Sequence, residues 1–289
     1  MIGILLAGGR GKRLRPITDR IPKPMVPLLN KPLLDYNLNV FKTNGISRVI
    51  MTVCYKKEII QQHAGFGQQN GLDIQYIEEH KPLGTAGSLF ASSGLFKETL
   101  AVLSGDALTN VPLRHVYDFH KEKGARITIV TAMAERPEQF GVCLTDQKGR
   151  LLSLLEKPSE AHLWTNQVST GIYLIEPSLF EEYVFQGEVD FAIDVFPALI
   201  ANREPIYVYE TNAYWQDIGT HRAYKLAEKR LKRGISGITN TNRLKPFYPL
   251  SNTFSASVLH EKSGSVDRLD SYSSMLKKQA GISDEKVLL

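Results

Sequence analysis

The sequence predicts an α/β fold: a Rossmann-like, mostly parallel sheet flanked by helices, with an antiparallel addition. Three observations predict it. Short apolar runs ending at glycine or an acid recur through the first 133 residues. Amphipathic stretches with helical spacing separate these runs, the alternation that builds a parallel sheet covered on both faces. Beyond residue 140 the apolar runs instead follow one another across short turns, as antiparallel strands do.

Residues 2–6 (Ile-Gly-Ile-Leu-Leu) are short and apolar, end at glycines, and read as a buried strand. Residues 33–45 have helical spacing and a glycine stop. Residues 48–55 are a second buried strand, 56–67 a helix ending in glycine, and 72–79 an alternating strand. The stretch 85–96 starts a helix with Thr85 near its cap. Residues 100–106 form a buried strand ending at an acid, 113–124 a helix and 125–133 a strand. In such sheets ligands bind outside the carboxyl ends of the strands, so the 8–13 loop and Asp106 are expected on one edge.

Residues 140–158 read as two strands joined by a turn at Lys148-Gly149, and 167–177 as another. They are expected to wall a second half of the site. A helix interrupted near Pro197 covers 190–202, a strand 205–210, and a strong helix closed by Gly234 covers 220–234. Residues 235–289 are rich in serine and lack strong apolar periodicity or an internal repeat.

The chain has 289 residues, 43% apolar and 22% charged, ordinary for a globular protein with a sizeable core. Its two cysteines, Cys54 and Cys143, lie in strand-like runs and suggest neither a disulfide framework nor a zinc site. The seven histidines show no metal-ligand spacing. No signal peptide is evident, and no stretch approaches the roughly 18–20 apolar residues of a membrane span. A reduced, cytoplasmic setting is expected, without membrane insertion.

The net charge of +5 alone would suit nucleic acid, but its distribution does not. The first basic cluster, Arg10 to Lys31, is interleaved with glycine and proline rather than aromatics, which favours a small polyphosphate. The second, near 225–245, reads as the solvated face of a helix and its exit.

The opening loop "LLAGGRGKRLRPIT" fails two standard phosphate-loop patterns. Arg13 follows Gly11-Lys12 where a Walker loop needs serine or threonine, and Leu14 replaces the third glycine of a dinucleotide loop. Its glycines still let backbone N–H groups approach an anion, and Arg13 can fork onto phosphate oxygens. Together with "PKPMVPLLNKPLLDY", this loop resembles the signature of the sugar-1-phosphate nucleotidyltransferases, Gly-Gly-x-Gly-Thr-Arg-Leu-x-Pro followed by Lys-Pro-Met. The blocks "PLGTAGSL", "LSGDALTN", "FGV", "EKP", "STGIY" and "YWQDIGT" follow in the family's order. The resemblance covers 1–233, the expected nucleotidyltransferase domain, and is nearest to mannose-1-phosphate guanylyltransferase-like members. Lys12 stands where the family usually has threonine. Many relatives continue into a hexapeptide-repeat β-helix, but 234–289 shows no such repeat and is an extension of unassigned role.

The resemblance implies transfer of a nucleotidyl group from a nucleoside triphosphate to a sugar-1-phosphate. Pyrophosphate leaves and an NDP-sugar forms, a donor for polysaccharide synthesis. The nucleophile is already an anionic oxygen, so the site must neutralise charge and align the attack. Asp106 and Asp217 are the implied Mg²⁺ ligands. Arg13 would stabilise the α-phosphoryl transition state with help from Lys23, and Lys157 would neutralise the sugar phosphate. Glu156 would accept sugar hydroxyl hydrogens, with Gly141 and Thr170 bordering the sugar. Leu6, Ala7, Gly8, Gly9, Gly11 and Gly84 would border the nucleotide.

Glu79 occupies a position that often contacts the base. A carboxylate only accepts, which matches guanine N1–H and its 2-amino group, so GTP and GDP-mannose are the expected pair. The alternatives are glucose-1-phosphate with UTP or dTTP, or a catalytically silent sugar-nucleotide sensor or assembly subunit. The implied partners are the two substrates, with no nucleic acid; a homo-oligomer is compatible with the sequence.

Overall fold

The computed structural model describes residues 1–235, 237 and 238; the remainder of the 234–289 extension lies outside the described residues. In the first half, β1 (Ile2–Leu6), α1 (Leu33–Thr43), β2 (Arg48–Val53), α2 (Lys57–Ala64) and β3 (Asp73–Glu78) follow one another. Then come α3 (Gly87–Ala91), β4 (Leu100–Ser104), β5 (Ala107–Thr109), α4 (Leu113–Glu122) and β6 (Ile127–Met133). The second half contains β7 (Gly141–Thr145), β8 (Leu151–Glu156), β9 (Gln167–Ile175) and α5 (Phe196–Ala201). It ends with β10 (Ile206–Glu210), β11 (Trp215–Asp217) and α6 (His221–Arg233).

Nine of these strands form one sheet in the order β8-β7-β9-β4-β1-β2-β3, with β6 pairing β9 and β10. β1 lies parallel to β2 and β4, β2 to β3, and β6 to β10. The antiparallel part begins at β9, which runs against β4, β6 and β7, while β8 runs against β7. The register of β9 against β6 shifts between Ser169 and Ile172. Before that irregularity Val168 pairs with β7; after it Ile172–Ile175 pair with β4. Thr170 and Gly171 therefore mark the junction of the two halves.

Successive side chains of β1 serve opposite faces. Ile2 and Ile4 pack with Phe191, Val195, Phe196 and Leu199, whereas Leu5 packs with Leu33, Leu34 and Phe41. Burial on both faces explains the continuous apolar runs, and each large side chain removed from water contributes roughly 1.5–3 kcal/mol.

Two local expectations change. α3 begins after Ala86 without a side-chain cap, because the Thr85 hydroxyl is engaged with Asp190 and Phe191 instead. The irregularity near Pro197 precedes that residue: Phe191–Val195 is a π-helical turn. Pro197 sits in the first turn of α5, where its fixed φ suits the helical backbone. α6 has a well-formed start, with Thr220 Oγ1 accepting from the Ala223 amide at 3.2 Å.

Candidate active site

Backbone hydrogen bonds fuse the carboxyl ends of the parallel strands. The Ala7 amide donates to Thr52 O at 2.9 Å, Gly105 N to Leu6 O at 2.9 Å and Glu79 N to Val53 O at 2.8 Å. The glycine loop, Glu79 and Asp106 thus leave the sheet at one edge. Gly8 lies beside Glu79: a Cβ placed on Gly8 would be 3.5 Å from Glu79 Oε2. At Gly9 an added Cβ meets nothing within 4 Å. Gly11 turns with φ +65°, and a Cβ there would press to 2.9 Å from Thr18 Cγ2 and 3.0 Å from Lys23 Cβ. Glycine at that point brings the loop against Lys23. Lys12 and Arg13 follow in a short 3₁₀ turn, both exposed, above buried Leu14.

Lys23 is buried between two prolines, and its ammonium links two carboxylates. Nζ lies 2.6 Å from Asp106 Oδ2 and 3.9 Å from Asp217 Oδ1. Ser104 Oγ donates to Asp106 Oδ1 at 2.6 Å. The acids, distant in sequence, meet because β5 pairs antiparallel with β11, setting Ala107 opposite Asp217. The Ile218 amide also donates to Asp106 O at 2.8 Å. Arg13 completes the cluster: a Cβ on Gly219 would collide with Asp217 Oδ2 and lie 2.7 Å from Arg13 Nη2.

The pKa values of the two carboxylates are shifted in opposite directions. Burial opposes the charge of Asp106, but the Lys23 ammonium and the hydrogen bonds from Lys23 and Ser104 outweigh it, so its pKa is lowered. Asp217 is raised by burial and then by the charge of Asp106, only partly offset by Lys23 and Arg13.

The antiparallel half supplies a second wall. Gly141 pairs with Glu156 across β7 and β8, and a Cβ on Gly141 would stand 3.1 Å from Glu156 Oε2. Lys157 adopts a left-handed backbone (φ +46°), donates its amide to Phe140 O at 3.0 Å, and places Nζ 2.5 Å from Glu156 Oε1. The Phe140 ring meets Trp215 edge-on at 5.2 Å, tying this wall to the strand that carries Asp217. Trp215 Nε1 donates to Thr170 O at 3.0 Å. The Thr170 hydroxyl is buried and donates to Val130 O at 2.7 Å, so this side chain is committed to the sheet.

Glu79 is only 8% exposed, unlike a surface acid at a strand end. Its pKa is raised by burial, opposed by hydrogen bonds that include the Leu83 amide, 3.3 Å from Oε2. Gly84 has φ +76°, and a side chain there would collide with the Val189 carbonyl. Ser104 and Thr18, whose hydroxyl donates to Gly11 O at 2.8 Å, escaped the sequence reading; the only signal for Ser104 was its place in "LSGD".

Among the described residues no group of three or more His, Cys, Asp or Glu side chains is assembled for a metal; Asp106 and Asp217 are a pair. Cys54 is half-buried and free, and Cys143 is buried and free, its thiol pushed up to about 12 by desolvation. No helix among the described residues is long and apolar enough to cross a membrane.

Comparison with known proteins shows what the chain is similar to. The family model for nucleotidyl transferases matches residues 2–234. A mannose-1-phosphate guanylyltransferase of Mycobacterium tuberculosis is 35% identical over 235 residues, covering 81% of this chain and 65% of that protein. A UTP–glucose-1-phosphate uridylyltransferase of Synechocystis is also 35% identical, over 233 residues, covering 76% of this chain and 60% of that protein. The chain therefore spans less than two thirds of the length of either relative. A solved structure from Bacillus anthracis, provisionally named a glucose-1-phosphate thymidylyltransferase, superposes with a TM-score of 0.73 at 24% identity. That match covers 82% of this chain and 96% of the other, and shows a shared fold.

Proposed function

The chain belongs to the nucleotidyl transferase family, and from that premise we propose that it joins a sugar-1-phosphate to the nucleotidyl group of a nucleoside triphosphate. One observation carries the proposal: Lys23 bridges Asp106 and Asp217, with Arg13 alongside, where the glycine loop leaves the sheet. A phosphate oxygen of the sugar attacks the α-phosphorus, the bond to the β-phosphate oxygen breaks, and pyrophosphate leaves. No general base is needed, so the protein's work is charge neutralisation and alignment.

Residues 1–233 are the proposed catalytic domain. Arg13 meets charge developing at the α-phosphoryl group, assisted by Lys23. Gly8, Gly9 and Gly11 admit the triphosphate to backbone N–H groups; no protein atom fills the space at Gly9, which suits close approach by an anion. Lys157 exchanges Glu156 for the sugar phosphate, freeing Glu156 to accept sugar hydroxyl hydrogens. Gly141 and the backbone at Thr170 border the sugar.

Mg²⁺ suits the donor set. Asp106 and Asp217 offer hard oxygens, and burial together with the Asp106 charge raises the pKa of Asp217. These two residues would hold the ion, which when bound neutralises phosphate charge as a Lewis acid.

Buried Glu79 beside Gly8 supports GTP, since its carboxylate can accept from two neighbouring guanine donors. GDP-mannose is accordingly the proposed product, in line with the name of the M. tuberculosis relative. A second reading, UTP with glucose-1-phosphate, is favoured by the equal identity to the Synechocystis relative. The two free cysteines support a reducing, cytoplasmic setting.

Pyrophosphate release with each nucleoside triphosphate crossed with mannose-, glucose- and N-acetylglucosamine-1-phosphate, with Mg²⁺ and with EDTA, tests the reading. GTP with mannose-1-phosphate and Mg²⁺ is expected to be fastest. A clear preference for UTP or dTTP overturns the nucleotide assignment, and no release with any pair overturns the enzyme.

A further inference from the structure

We propose that Thr85 and Asp190 are positioning residues for the nucleotide, forming a clamp that fixes the loop between Glu79 and α3. The inference rests on the reading of Glu79 and Gly84 as the nucleoside side of the site. Thr85 Oγ1 donates to Asp190 Oδ2 at 2.9 Å and accepts from the Phe191 amide at 2.9 Å. Asp190 is itself fixed: Oδ1 accepts from Ala192 N at 2.8 Å, and its amide donates to Asp194 Oδ2 at 2.7 Å. Two backbone bonds flank this contact, Ala86 N to Val189 O and Val189 N to Leu83 O, each 2.9 Å.

The chain of contacts leads to the base-reading group. Val189 donates to the Leu83 carbonyl, and the Leu83 amide donates to Glu79 Oε2. Gly84 is pressed against the Val189 carbonyl, so this part of the loop takes its path from the clamp. α3 contributes little hold of its own, with five residues and no side-chain cap. The opposing segment is well anchored. Val189 and Phe191 are buried, and the Phe191 ring lies 5.2 Å from Tyr173 and 5.7 Å from Phe196. The π-helical turn that begins at Phe191 directs Asp190 toward Thr85; such turns recur at functional sites.

The Thr85 hydroxyl is an addition to this packing rather than part of it. Thr85 is exposed, and the apolar contacts beneath it do not involve the hydroxyl. Its loss should therefore register in nucleotide binding rather than in global stability.

Binding of a fluorescent GTP analogue with Mg²⁺, steady-state kinetics and thermal unfolding of the full chain test this, using Thr85→Val, Thr85→Ser and Asp190→Ala. Thr85→Val and Asp190→Ala are expected to weaken GTP binding and raise its KM about tenfold, the scale of one hydrogen bond to a charged group. In Thr85→Val the KM for the sugar phosphate, kcat and Tm should stay near the parent values, whereas Asp190→Ala should also lower Tm by a few degrees because it removes the cap on Ala192 N. Thr85→Ser should restore binding, and the double variant should bind GTP no worse than either single one. Unchanged GTP binding in Thr85→Val overturns the clamp. So does a loss shared equally by both substrates and Tm, which would make the contact purely structural. A parent protein that binds no nucleoside triphosphate instead fails at the premise, the nucleotide reading of the loop.

Discussion

Asp106 and Asp217 share one ammonium but their pKa values are shifted in opposite directions, which makes their substitutions distinguishable. The folded-state pKa of Asp217 is raised, so its stabilising contribution is complete below the unfolded value near 3.8 and is lost as pH rises through the folded value. Asp106 is lowered, so its contribution is present above 3.8 and is lost as pH falls through its folded value. Metal-free protein at neutral pH thus carries a cost at Asp217. Asp217→Asn in EDTA is expected to raise Tm at pH 7 by about 2–4 °C, the equivalent of roughly 1 kcal/mol, while turnover with Mg²⁺ falls about a hundredfold or more. The gain should shrink toward pH 4. Asp106→Asn should lose comparable turnover and also lower Tm, because it leaves Lys23 without its closest carboxylate. Thermal scans at both pH values and steady-state rates check the contrast; a lower Tm for Asp217→Asn at pH 7 would contradict the upward shift of Asp217.

The parallel strands owe their legibility to the same property that places the site. β1 and β4 are buried on both faces, so each reads as an uninterrupted apolar run, and their shared end delivers the glycine loop and Asp106 together. Gly105 makes that join: its amide bonds Leu6 O, and a Cβ would stand 2.6 Å from the same carbonyl, which cannot move without breaking the sheet. Gly105→Ala is expected to cost about 1–3 kcal/mol in denaturant unfolding and to reduce turnover further by displacing Asp106. Parent-like stability would mean that the strand ends are looser than their hydrogen bonds indicate. The β5–β11 ladder was not legible, because three residues on each strand are too few to show a period. Nor does the sequence show that Lys23 chooses Asp106, that the Thr170 hydroxyl turns into the sheet, or that Thr85 abandons its helix for Asp190. Each is a contact across long sequence separation, decided by packing rather than by local propensity.

At the scale of the whole molecule, the site is divided between two modes of strand pairing. The proposed nucleotide groups, from Leu6 to Gly11 and from Glu79 to Gly84, leave the parallel half. Gly141, Glu156 and Lys157 come from the antiparallel half, and β9 belongs to both. A ligand that binds only the folded arrangement stabilises it by about 2.7 kcal/mol at a hundredfold excess over Kd. For a chain of this size that corresponds to a rise in Tm of about 5–10 °C. GTP with Mg²⁺ is expected to give this shift, and EDTA to remove most of it, since triphosphate charge would then face Asp106 and Asp217 directly. Asp217→Asn should retain the part of the shift that survives EDTA and lose much of the Mg²⁺-dependent part. If the full shift persists in EDTA, the triphosphate is held by Arg13, Lys23 and the backbone of the glycine loop alone. The ion would then contribute to the transfer step rather than to binding, a division that rates measured across Mg²⁺ concentrations at saturating GTP would display directly.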